Sequence, residues 1–388
     1  MRVLHVADAI DPSLGGGTAE RTYQLALALE RAGIQCSVLC TDLGLGEKRR
    51  LELAGVELVA VPTLSVRFLL PVIAWSRIKR LVAQSDVVHV TGHWSVLGAL
   101  VCLMARRLGK PYVYCPAGSL QIFGRSGFLK RGYNWLAGSR IVREATVCIA
   151  VTELERAQFH AYGVPDAKIT ILPNGVHPNL ELAAAPQSFR ALHGLGSLPV
   201  ILFLGRLSPI KGPDLLLEAF AQVARHHPTA HLVFAGPQGE LGTSLKAKSV
   251  QMGLADRVVF PGFLAGQAKQ DALAAANLLV VPSRQEAMSL VALEAGLCGT
   301  PVLLTNQCGF DEVQTAGGGL VVEVTAAAIA DGLKQMLEHA DGLPAMGQRL
   351  RELVLSSYTW DGLTQRVLEL YASILQQEAK NVARRTGS

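Results

Sequence analysis

The strongest constraint on how this chain can fold is a repeated alternation. Short apolar runs alternate with amphipathic stretches along almost its whole length. In the first half the runs fall at residues 2–7, 35–40, 56–61, 87–90, 112–115, 145–151 and 169–172, with stretches such as 19–32, 72–83 and 95–108 between them. A strand that is apolar throughout must be covered on both faces, and helices between successive strands supply that cover. The pattern predicts a parallel, doubly wound sheet. It pauses at residues 174–199, rich in Pro, Gly, Asn and Ala, which read as a linker followed by a short helix. It then restarts, with runs at 200–204, 231–235, 258–260, 278–281, 302–305 and 319–322. With 388 residues the chain is too long for one ordinary core and suits about two domains. The expected fold is α/β, with two tandem Rossmann-like doubly wound parallel-sheet domains at 1–175 and 176–355. Residues 356–388 read as a C-terminal helical segment with no strand left to cover. Ligands of open parallel sheets sit beyond the carboxyl ends of the strands, so the site is expected in a cleft where the two sheets face each other.

Composition narrows the class. Half the residues are apolar and 17% are charged, as in globular proteins, and no apolar stretch reaches the roughly 20 residues of a spanning helix. The opening MRVLHVADAI reads as a first buried strand rather than a signal sequence. Seven cysteines are scattered without a CxxC, mostly inside apolar runs, which predicts buried reduced thiols in a cytoplasmic protein. The net charge of +5 is uneven: residues 1–190 hold 21 Lys/Arg against 14 Asp/Glu, and residues 191–388 hold 15 against 17. The first half is therefore the side expected to meet an anionic surface or acceptor. It also contains two basic-aromatic stretches. SVRFLLPVIAWSRIKRLV, 65–82, joins Trp75 to Arg77, Lys79 and Arg80, and GRSGFLKRGYNWLAGSRIVR, 124–143, adds more. Such stretches can lie in a membrane interface, here the inner face of the plasma membrane; core-facing helices with solvated cations are the alternative. No nucleic-acid partner is expected.

Three motifs carry chemistry. In LPVILFLGRLSPIKGPDLLLEAF an apolar strand runs straight into Arg206, with Lys211 five residues on and Pro213 opening a helix. A diphosphate needs about two fixed positive charges that keep their protons at neutral pH, a fork from Arg and a point charge from Lys. Alone, the pair could also be two solvated cations. In VPSRQEAMSLVALEAGLCGTPVL, Glu286 and Glu294 lie eight positions apart. Ser289 is the expected N-cap, which puts Glu286 in the loop and Glu294 about one and a half turns into the helix. The loop EAMSL would present backbone N–H groups at the positive helix end, a ready phosphate site, with Glu294 as an acceptor for neutral hydroxyls. An ordinary amphipathic helix is the plainer alternative. In ADAIDPSLGGGTAERTYQLALAL, Gly15–Gly17 are expected in the first strand-to-helix loop, where glycine lets backbone approach a ligand. Position 20 is Glu, so this is not a GxGxxG dinucleotide motif.

Taken together and in order, GRLSPIKG, AGP at 235–237, FPGFL at 260–264 and PSRQEAMSLVALEAGLCGTPVL resemble the nucleotide-sugar half of the retaining glycosyltransferases of family 4, on the GT-B fold. GGG followed by AER, DVVHVTGHW at 86–94, VTELER at 151–156 and ILPNGVHP at 171–178 extend the resemblance over nearly the whole chain. It implies an acceptor-binding first domain and a donor-binding second domain. Arg206 and Lys211 would hold the donor diphosphate, Glu294 the ribose, and Glu286 the donor sugar or its reacting face. Backbone of Ala287, Met288, Ser289, Leu290 and Val291 would cradle sugar and phosphate. Gly16 and Gly17 would approach the diphosphate, the base would rest near Gly236 and Phe263, and the C-terminal helix would cross back to the first domain.

The implied co-substrate is a UDP- or GDP-sugar, the implied acceptor a glycan or lipid-linked glycan of cell-surface polysaccharide or lipopolysaccharide synthesis. No cofactor is required: stabilising a departing diphosphate is an electrostatic task for fixed cations. No Asp-x-Asp pair or His/Cys cluster is evident, which fits metal independence. Two departures stand out. Many relatives carry a His in PHG after the fifth strand, where this chain has Ala117 in YCPAGSL; either His93 of TGHW takes that duty or it is dispensable here, and a lone His is more often a satisfied polar residue. The frequent EGFGL loop is EAMSL here. A nucleotide-sugar epimerase on the same scaffold, or a non-catalytic partner subunit that binds nucleotide sugar or glycan, are the alternatives.

Overall fold

A computed structural model describes residues 1–65, 70–72, 75–122, 126–178 and 185–386. The chain divides into two compact units, Met1–Asn174 with Trp360–Ser388, and Gly175–Thr359.

The first unit is built on seven parallel strands: β1 (Arg2–Val6), β2 (Gln35–Thr41), β3 (Glu57–Val61), β6 (Val87–Thr91), β7 (Tyr112–Cys115), β8 (Val147–Ala150) and β9 (Ile169–Ile171). A short antiparallel pair, β4 (Thr63–Ser65) and β5 (Leu70–Pro71), stands apart. The sheet order is β3-β2-β1-β6-β7-β8-β9, so the direction of winding reverses between β1 and β6. The central strands are buried along their length because helices lie on both faces, which is why their sequences run apolar instead of alternating. Residues 360, 363, 367, 371 and 374 of the C-terminal helix Trp360–Thr386 repeat at helical spacing, and all five are buried. Their stripe packs against the helix Pro12–Arg31, which explains a long helix without a strand of its own. Arg21, buried in that packing, donates to the carbonyls of Leu172 and Pro173 at 3.0 and 2.8 Å and to Asn174 Oδ1 at 2.8 Å. Its guanidinium also lies 6.0 Å from the Trp360 ring centre. One side chain thus ties the last residues of the unit's first pass to the first residue of its second.

The second unit repeats the plan with six parallel strands: β10 (Val200–Leu204), β11 (His231–Ala235), β12 (Val258–Gly262), β13 (Leu278–Val281), β14 (Val302–Thr305) and β15 (Gly319–Val322). The order is β12-β11-β10-β13-β14-β15, with the reversal between β10 and β13. Ile201, Leu202, Leu278 and Leu279 pair across that point and are fully buried. All seven cysteines are free thiols, six of them buried.

The structure corrects one local expectation. Gly15–Gly17 lie inside the helix Pro12–Arg31 instead of in a loop, because the N–H groups of Leu14 and Gly15 already bond the Asp11 carbonyl and start the turn early. The helix is broken at Gly16, with φ 57° and ψ −142°, a conformation only glycine adopts without strain. Of the two basic-aromatic stretches, residues 66–69, 73–74 and 124–125 lie outside the described residues. Among the described residues no helix is long and apolar enough to cross a membrane.

Candidate functional site

In the second unit the strand order reverses at β10 and β13, so the loops leaving these strands diverge and expose the sheet's carboxyl edge. Side chains and backbone zip the two loops together. The Arg284 N–H donates to Ile210 O at 2.8 Å, and its guanidinium donates to Pro209 O at 2.6 Å and to both Asp214 oxygens at 2.9 and 2.7 Å. Burial would raise the Asp214 carboxyl, but the Arg284 bonds and charge hold it below its usual range. Gly212, at φ 67°, turns the chain into the helix Pro213–Val223; a Cβ there would stand 2.0 Å from the Pro282 carbonyl oxygen. Only glycine allows that approach.

The zip sets Lys211 against Glu286. Lys211 Nζ donates to Oε1 and Oε2 at 2.6 and 2.7 Å, and Ser283 Oγ donates to Oε2 at 2.9 Å. An ammonium has three protons, so two serve Glu286 and one remains for an outside oxygen. The Glu286 N–H donates to Gln307 O at 3.0 Å, so it is not among the N–H groups open to a ligand, as the sequence had suggested for this loop. Arg206 is exposed, and its side chain has no hydrogen-bond or ion-pair partner among the described residues. Ser289 caps the helix Leu290–Leu297, its Oγ accepting the Ala292 N–H at 3.3 Å. Glu294 is the fifth residue of that helix, and its Oε1 accepts from Lys269 Nζ at 2.6 Å. Met288 and Ser289 are buried, while Ala287, Leu290 and Val291 are partly exposed. Phe263 is 56% exposed just past β12. Gly236 follows β11, and a Cβ there would stand 1.9 Å from Gly205 O, so backbone packing alone dictates that glycine.

The first unit treats its expected residues differently. His93 is buried. Its Nδ1 bonds the Tyr114 hydroxyl at 2.9 Å and its Nε2 bonds Asn134 Oδ1 at 2.8 Å. Burial pushes the imidazole down to about 4. With both nitrogens engaged inside an aromatic cluster of Trp94, Tyr133 and Tyr162, this geometry makes His93 a packing residue and leaves it no atom for a substrate. Ala117 follows β7 at φ 48°, left-handed for a residue with a Cβ. The next N–H, of Gly118, donates to Glu155 Oε1 at 2.5 Å. Asp8, just past β1, accepts from the Ser95 hydroxyl at 2.5 Å, and burial pushes its carboxyl up to about 6 against the opposing effect of that bond.

Comparison with known proteins fits both units. Residues 188–352 match the family model "Glycosyl transferases group 1", and residues 16–175 match "Glycosyl transferase 4-like domain". The D-inositol 3-phosphate glycosyltransferase of Gordonia bronchialis is 30% identical over 76% of this chain and 67% of its own length. The chain belongs to the glycosyl transferases group 1 family. The GDP-mannose-dependent alpha-(1-6)-phosphatidylinositol monomannoside mannosyltransferase of Mycobacterium tuberculosis is 29% identical over 76% of this chain and 78% of its own. Among solved structures, Anabaena Alr3699/HepE in complex with UDP superposes with a TM-score of 0.77 at 18% identity, over 96% of this chain and 100% of that one. The fold is GT-B, and the protein is a glycosyltransferase.

Two residues of this glycosyltransferase escaped the sequence reading. Lys269 is one lysine in an unremarked helix. Its signal was topological: β12 is an edge strand and β13 lies beyond β10, so the helix Gly266–Ala275 must cross the sheet and meet the helix that carries Glu294. Arg284 sits two residues before Glu286, and nothing in its spacing pairs it with Asp214, 70 positions earlier.

Proposed function

We propose that this glycosyltransferase moves a sugar from a UDP- or GDP-sugar to a hydroxyl of a glycan, polyol or lipid-linked acceptor, with retention of configuration and without a metal ion. The observation that carries the donor half is Lys211 held on Glu286, with Arg206 unpartnered on the loop between β10 and Lys211, at the carboxyl edge of the second sheet. In this reading Arg206 and the third Lys211 proton take the donor diphosphate, Glu294 takes the ribose, and Glu286 contacts the donor sugar. As the bond from C1 to the phosphate oxygen breaks, charge develops on the diphosphate, and two fixed cations stabilise it there. The acceptor oxygen bonds C1 from the same face, and its proton passes to the departing phosphate oxygen. Retention follows from that geometry. The first unit is read as the one that binds the acceptor.

The relatives' names support an acceptor bearing inositol or a lipid-linked inositol. A lipid-linked acceptor brings the enzyme to a membrane, and the stretch 127–143 offers a surface for it. Phe128 and Trp135 are each 85% exposed and Leu136 74%, among Lys130, Arg131, Arg140 and Arg143 without an adjoining acid until Glu144. In this reading the enzyme works in the cytoplasm at the inner membrane face, in cell-surface glycan synthesis.

The test is a thermal-shift panel of UDP, GDP and their sugars on wild type and Lys211→Ala. One nucleotide should stabilise the wild type and lose that effect in the variant. No shift with any member would overturn the donor site. A sugar that turns over but stays on its nucleotide would replace transfer by epimerisation.

A further inference from the structure

The donor reading uses the strand reversal of the second unit and leaves that of the first, between β1 and β6, without an assigned side chain. Asp8 leaves the carboxyl end of β1, and Ser95 follows β6. The two side chains meet across the reversal, with Ser95 Oγ 2.5 Å from Asp8 Oδ1. Both are fixed. The Asp8 carbonyl accepts from the Thr41 N–H at 2.9 Å and from the Thr41 hydroxyl at 2.5 Å. The Ser95 oxygen also accepts the Gly98 N–H at 2.8 Å as cap of the helix Val96–Arg107, and its single proton goes to Asp8. Asp8 Oδ1 is therefore engaged, while Oδ2 has no partner among the described residues and the side chain is partly exposed. Gly15, next to the break at Gly16, packs against Ala9, the residue after Asp8, a Cβ on it falling 3.2 Å from Ala9 O.

We propose that Asp8 binds a hydroxyl of the acceptor, a polyol or sugar, at the strand reversal of the first unit. The inference rests on the transfer reading above and names the residue that holds its second substrate. A carboxylate anchored through one oxygen offers the lone pairs of the other to a neutral O–H donor, and a hydroxyl costs far less to desolvate than a cation. The side chain bonded to Asp8 is a hydroxyl, Ser95, and the hydroxyl of Tyr133 donates to Ser95 O at 3.0 Å.

Initial rates at saturating nucleotide sugar, with inositol and D-inositol 3-phosphate as acceptors, test this on wild type, Asp8→Asn and Asp8→Glu. Asp8→Asn should raise the acceptor KM at least tenfold, leave nucleotide stabilisation intact, and be partly rescued in Asp8→Glu. An unchanged acceptor KM, or a rise in the donor KM instead, overturns the assignment. Asp8→Cys gives a second measurement. Its thiol should react with a small charged methanethiosulfonate and be protected by the polyol; a thiol that does not react, or that neither polyol protects, also overturns it. Failure of the transfer reading looks different, because then no nucleotide or nucleotide sugar stabilises the wild type.

Discussion

Asp8 also makes a prediction about stability that needs no substrate. Its carboxyl is raised from an ordinary 3.8 to about 6 in the folded protein, first by burial. The folded state therefore holds that proton more tightly than the unfolded chain. Above pH 6 both states are ionised and the full penalty of the buried charge is present. As the pH falls from 6 toward 4 the folded state takes up the proton first, and the penalty disappears. Two pKa units correspond to about 3 kcal/mol, and partial exposure of the side chain reduces that to roughly 1–2 kcal/mol. Asp8→Asn keeps an oxygen for the Ser95 proton and removes the charge. It should be more stable than wild type by about 1–2 kcal/mol at pH 8, with the advantage gone near pH 4. Urea unfolding of both proteins at half-unit steps from pH 4 to 8 measures the difference. His5 and His93, each held near 4 by burial, cost stability in acid as the unfolded chain takes up protons, but they act alike in both proteins and cancel. A difference that does not vary with pH, or a variant less stable than wild type at pH 8, would refute the reasoning. The confirmed pattern would mark a carboxylate kept at a cost to stability, as expected of a substrate-binding group.

Other substitutions separate structure from site. His93→Ala removes an imidazole bonded at both nitrogens and leaves Tyr114 and Asn134 short of a partner; it should lower stability by about 2–4 kcal/mol while nucleotide stabilisation persists. Arg284→Ala unzips the loops that place Lys211 and should cost about 1–3 kcal/mol along with weaker nucleotide binding in the thermal-shift assay. Because Asp214 is held below its usual pKa, its contribution is present above about pH 4 and lost as pH falls through the folded value; Arg284→Ala should lose that acid sensitivity. Lys269→Met leaves Glu294 without its ion-pair partner and should raise the donor KM on the order of tenfold with kcat little changed, read by initial rates over a donor series.

The sequence by itself determined the sheets. Strands such as VILFL at β10 and LLVV at β13 are apolar on both faces, and only a sheet covered on both sides can bury them, so twofold alternation led directly to two wound units. It also put Arg206, Lys211, Glu286 and the cap at Ser289 in the segments that leave β10 and β13, because each lies within eight residues of a strand end. Tertiary structure decided what lies far apart in the chain. Lys211 meets Glu286 across 75 positions, Arg284 meets Asp214 across 70, and Asp8 meets Ser95 across 87, each because strands distant in sequence are neighbours in a sheet. Burial was decided there too. His93 reads in the sequence like a reactive group beside Trp94, yet the fold surrounds it with three tyrosines and an asparagine. Asp8 carries no motif in the sequence, yet it sits at a strand reversal. Spacing along a chain reports the period of its elements; which side chains lose water, and which partners they find, depends on how those elements close on one another.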